Sequence, residues 1–175
     1  MCSQFGTLWP SKFGQFLRHT FASWTSQMLI SINSGHLVPD MDGDDGPYAT
    51  AEQALSKWLH TPTISGQPKR LCCRFTSGFD SEAKEWINDF KETFSRATAS
   101  ASYKIELIHF NATQIKPFEL VNERTNEKLT VEKGPFHSWW IMKRCPIVGE
   151  RAADQWKKNV DENNLVDVTF SLNGV

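Results

Sequence analysis

Lys69-Arg70-Leu71-Cys72-Cys73-Arg74-Phe75 is the stretch on which the architecture turns. Leu71, Cys73 and Phe75 alternate with Arg70, Cys72 and Arg74, the period of two that marks a half-buried strand. It places Arg70 and Arg74 together on the strand's other face. Before it, His60 to Pro68 is rich in Pro, Gly, Ser and Thr and reads as a loop and an internal boundary. Earlier still the pattern is helical. Phe13, Phe16, Leu17, Phe21, Trp24 and Met28 recur mostly at spacings of three and four after Pro10. Thr50-Ala51-Glu52-Gln53 has the form of a capping box that opens a second helix, with Ala54, Leu55, Trp58 and Leu59 on its apolar side.

Downstream of the boundary, Asp80 opens a helix with Ala83, Trp86, Ile87, Phe90 and Phe94 on one side. Tyr103 to Phe110 reads as a strand. Phe118 to Val121 and Lys128 to Val131 read as a hairpin, and Phe136 to Met142 as the most aromatic strand. Glu150 to Val160 reads as a helix with Ala152, Ala153 and Trp156 inward. Val166 to Leu172 closes the order as a strand. Without the hairpin this is the β-α-β-β-α-β order of a ferredoxin-like unit. The expected fold is therefore α+β: an N-terminal helical pair, then a ferredoxin-like unit with an extra hairpin and a mainly antiparallel sheet. Residues 1–68 are expected to form a helical segment packing on the remainder and 69–175 the ferredoxin-like α+β unit, the two making one compact domain.

The chain has 175 residues, enough to bury a core without staples. Seven Trp and twelve Phe predict an aromatic core. A formal net charge of −1 gives no global field toward nucleic acid or anionic membrane, and strong duplex DNA binding is not expected. No apolar run approaches the length of a transmembrane helix. Cys2, Cys72, Cys73 and Cys145 do not make a disulfide framework, so an intracellular protein, cytoplasmic or nuclear, is expected. The acid-free, Ser/Thr-rich residues 1–39 overlap in composition with mitochondrial transit peptides, a minor alternative.

Asp40, Asp42 and Asp44 stand at alternate positions before Glu52. Carboxylates so spaced suit hard cations. The run resembles the calcium loop of EF-hands. Asp45 stands where that loop has Gly, and Glu52 comes one residue late, so the resemblance implies at most a weak calcium site, at about 10⁻⁴–10⁻³ M. No other cofactor is expected. Gly35-His36-Leu37-Val38-Pro39 is similar to the G-H-x-x-P core of ββα-metal nucleases, which implies His36 as a general base in a metal-dependent hydrolase centred on it and the Asp40–Asp45 cluster. Asn33 and Ser34 replace that family's preceding Asp-Arg.

Lys133-Gly134-Pro135-Phe136-His137-Ser138-Trp139-Trp140 loosely resembles the first RNA-contact motif of RNA-recognition modules, which implies single-stranded RNA binding. Alternation along an assumed strand puts His137 and Trp139 on one face. Joined to Arg70 and Arg74, they form the expected binding site. Cys73, Cys145, His109 and His137 are the Cys/His pairs worth naming for nucleophilic chemistry. The sequence holds no G-x-S-x-G, P-loop or dinucleotide fingerprint, and no catalytic residue is assigned. The expected role is a non-enzymatic binding module for a protein partner or a second copy, with RNA as the alternative.

Overall fold

The computed structural model describes residues 27, 29–35, 37–40, 48–74, 80–108, 115–162 and 168–169. Apart from Gln27, the predicted helix over Phe13 to Met28 lies outside them. Among the described residues the elements run β1 (Ser31–Gly35), α1 (Ala51–His60), β2 (Lys69–Arg74), α2 (Asp80–Arg96), β3 (Tyr103–Ile108), β4 (Phe118–Asn122), β5 (Glu127–Lys133), β6 (Trp139–Pro146), α3 (Glu150–Glu162) and β7 (Val168–Thr169). One seven-stranded sheet takes them in the order β4-β5-β6-β3-β2-β1-β7. β7, β1, β2 and β3 are parallel neighbours; β3, β6, β5 and β4 pair antiparallel.

This corrects the expected fold. The sheet is mixed, not mainly antiparallel and ferredoxin-like, and the described helices do not form an N-terminal pair but connect or follow strands of the sheet. The physical reason is β1. Ser31-Ile32-Asn33-Ser34-Gly35 lacks an apolar alternation, yet it lies between β2 and β7. Ile32 is fully buried, and the small buried Ser34 donates its hydroxyl to Leu37 O at 2.7 Å. Small residues let the chain enter a crowded parallel region and meet their own polar demand. With β1 in the sheet, α1 becomes a crossover between parallel strands. The steps from β1 to β2 and β2 to β3 run the same way across the sheet, so crossovers of one hand put α1 and α2 on the same face.

That face holds the core. Leu55, Trp58 and Leu59 of α1 and Ile87, Phe90 and Phe94 of α2 cluster with Leu71, Ile105, Leu129 and Met142. The capping box forms: Gln53 N donates to Thr50 Oγ1 at 3.1 Å and Thr50 N to Gln53 Oε1 at 2.9 Å. At the other end of α2, Asn122 Nδ2 donates to Phe94 O at 2.7 Å and Ala97 O at 2.9 Å, tying the helix terminus to edge strand β4. On α3, Ala152 and Ala153 are exposed, and Trp156 is the anchor, donating Nε1 to Ser102 Oγ at 2.7 Å. No described helix is long and apolar enough to cross a membrane.

Candidate functional site

Register fixes where the predicted binding residues fall. Arg74 pairs with Ile108, and Ile108 with Trp139, so Arg74 and Trp139 share the outer face at one end of the sheet with a single strand between them. Arg70 is a turn of the pleat further along. Its guanidinium meets Glu106 Oε2 at 2.9 Å, and Lys104 Nζ meets the other oxygen at 3.0 Å. Arg70 is thus held in a charge network rather than offered as a lone cation. His137 does not join the face as alternation implied. The chain turns through residues 135–138, β6 begins at Trp139, and His137 is exposed in the turn.

The turn brings up a residue that the strand reading had placed on the other face. Phe136 is 67% exposed and stacks on half-buried Trp139, with centroids 5.4 Å apart and planes at 11°. Gly134 N donates to Trp139 O at 2.7 Å and Trp139 N to Phe136 O at 3.0 Å, which closes the turn under the stack. A Cβ on Gly134 would lie 2.8 Å from Trp139 Cγ, so the ring and the backbone need this glycine. Gly134→Ala should displace the ring and cost about 1–3 kcal/mol, checked by thermal melting together with Trp fluorescence. An unchanged emission maximum and melting point would show that the hairpin absorbs the methyl freely.

The acidic residues divide. Asp40 N donates to Glu52 O at 3.1 Å, which brings the two ends of the predicted calcium loop together. Asp42 and Asp44 lie outside the described residues, as do His36 and His109. Among the described residues no group of three His, Cys, Asp or Glu could hold a metal ion. The described cysteines are thiols at neutral pH. Burial pushes Cys73 up to about 12 despite the hydrogen bond from Ser34, and raises Cys72 and Cys145 as well. A raised thiol pKa works against nucleophilic chemistry.

The densest group of perturbed side chains lies elsewhere, on the inner face where β2 and β3 begin and α1 ends. Arg144 and Glu127 are 1% and 2% exposed. Arg144 donates Nε and Nη2 to Glu127 Oε2 at 3.0 and 2.7 Å, and Nη2 also to Ala99 O at 2.7 Å. Glu127 Oε1 accepts from Ala101 N at 2.8 Å. Arg144 also lies over the Phe94 ring. His60 Nδ1 is 2.9 Å from Ser56 O, and its ring meets Tyr103 edge-on. Burial holds His60 down at about 4, against the opposing pull of its backbone bond, with Arg144 and Lys69 adding to the depression. Burial likewise pushes Tyr103 up to about 12.

Lys69 completes the group. It is 1% exposed, donates to Trp58 O and lies over the Trp58 ring. Among the described residues no carboxylate pairs with it. Burial alone lowers it to about 7. A cleft of about 240 Å³ opens beside the group, lined by His60, Lys69, Ser102, Thr125 and Glu127 among others. Thr125 Oγ1 is buried with no hydrogen-bond partner among the described residues.

Sequence reasoning missed this group, although phase carried a signal for it. Lys69 alternates in step with Leu71 and Cys73, Glu127 with Leu129 and Val131, and Arg144 with Trp140 and Met142. A charge in phase with a buried row points inward. Neither a scan of protein-family models nor searches of curated proteins and of solved structures find a match for this chain.

Proposed function

We propose that the chain is a non-enzymatic binding module that engages a protein partner through the tip of the β5–β6 hairpin. The observation that carries this reading is the exposed Phe136 stacked on Trp139. An aromatic held flat by a second ring offers area without losing much rotamer freedom on binding. Arg74 on the same sheet end and exposed His137 in the turn give the stack a polar rim. An apolar aromatic centre with an Arg-bearing rim is the composition enriched at interaction hot spots. The charge balance adds weight against nucleic acid as the main ligand, because a net charge of −1 supplies little phosphate attraction.

Phe136 is a better probe than Trp139, whose ring supports the turn. Phe136→Ala should weaken partner binding by about 2 kcal/mol or more while leaving the melting point within a degree or two. Wild type and variant are compared as bait in nuclease-treated extract, and any partner recovered is then titrated in purified form. Equal affinity of the two baits for that purified partner overturns the reading. Capture that vanishes with nuclease, together with salt-sensitive binding of a labelled oligouridylate, replaces it with single-stranded RNA binding, where the same stack would take a base.

A further inference from the structure

We infer that the cleft beside Lys69 binds a small organic carboxylate, with the Lys69 ammonium as its counter-ion. The proposal rests on residues remote in register from the hairpin tip. Burying an ammonium is costly unless a partner charge meets it. Among the described residues Arg144 has that partner in Glu127, whereas Lys69 meets the Trp58 carbonyl and ring and no carboxylate. Among the described residues four titratable groups share this buried region with Lys69. From α1 comes His60, from β3 Tyr103, from β5 Glu127 and from β6 Arg144. His60 and Tyr103 are uncharged at neutral pH, so a protonated Lys69 leaves two cations against one carboxylate. An anion entering the cleft balances them.

The size and lining narrow the ligand. A volume of about 240 Å³ lies below the range of roughly 300–1,000 Å³ typical of drug-sized ligands, so the occupant is a small metabolite-sized acid. Leu59, Pro62, Ala101 and Pro146 supply an apolar wall for a short hydrocarbon body. Thr125 Oγ1, buried without a partner among the described residues, supplies a hydroxyl to hydrogen-bond a ligand. One cation, one hydroxyl and an apolar wall match a monocarboxylate better than a multiply charged phosphate ester, which demands several cations.

Binding to the ammonium form gives the test its signature. Sodium acetate, butyrate and benzoate are titrated into the full chain by calorimetry at pH 6 and pH 9. Butyrate or benzoate should bind at pH 6 and at least tenfold more weakly at pH 9. Acetate, too short to use the wall, should be the weakest. Lys69→Met should abolish the pH 6 binding. Should that variant fail to fold, the intact protein labelled with ¹³C-lysine serves instead. Saturating benzoate should then raise the Lys69 titration midpoint by at least one pH unit, and Thr125→Val should weaken binding severalfold. No binding of any of the three acids at pH 6, binding that ignores pH, or a Lys69 midpoint unmoved by benzoate overturns the proposal.

Discussion

Glu127→Ala is expected to destabilise the folded chain by about 3–5 kcal/mol, because it leaves the Arg144 guanidinium buried without its counter-ion. The geometry is unusually complete for a buried pair. Two guanidinium nitrogens reach Glu127 Oε2, the other carboxylate oxygen accepts from Ala101 N, and Arg144 holds Ala99 O. The pair therefore fastens residues 99–101, the approach to β3, to the start of β5 and the end of β6. Removing the carboxylate strands one charge and one backbone donor together, and both desolvation penalties fall on the folded state. Chemical denaturation monitored by circular dichroism reads the loss. A double-mutant cycle with Arg144→Ala should give a coupling energy of about 1–3 kcal/mol. Additive losses would mean that the two side chains act separately, and a loss under about 1 kcal/mol for Glu127→Ala would mean that water reaches the site.

How much of this was legible depended on the range of the interaction. The Thr50–Gln53 capping box was readable because its two hydrogen bonds join residues three apart, and α1 begins where the box put it. The hairpin of β4 and β5 was readable for the same reason. β1 was not, because Ser, Asn and Gly carry no β signal of their own and its strand character comes from β2 and β7 on either side. With no strand assigned over Ser31–Gly35, α1 had no strand to return from and looked like half of a helical pair. The binding face failed at one position for a similar reason. The turn extends to Ser138, three residues beyond where aromatic content suggested, and His137 left the strand with it. The buried charges were spread over separate elements, so no local motif joined them. Only their phase with neighbouring apolar residues marked them as inward.

Lys69 should make the stability of the protein depend on pH in a window where few lysines do. Its folded value is lowered to about 7 by burial, whereas an unfolded chain holds the proton to the ordinary lysine range. Between those values the unfolded state binds more protons than the folded one, so stability rises with pH. Below about pH 7 the full cost of burying the ammonium is present; as pH climbs toward 10 it disappears. At about 1.4 kcal/mol for each pH unit of separation, the wild type should gain on the order of 2–4 kcal/mol over Lys69→Met between pH 7 and pH 10. The comparison is confined below pH 10 because Tyr103, raised to about 12, acts with the opposite sign above it. His60, held at about 4, adds a separate rise between pH 4 and 6.5 that both proteins share. Parallel denaturation curves for the two proteins at pH 7, 8.5 and 10 decide the matter. Because Met fills the same space without a charge, it should be the more stable form at pH 7 and lose that advantage by pH 10. A constant difference across the three would show that Lys69 keeps its proton in the fold, through water or a rearranged side chain that meets the ammonium.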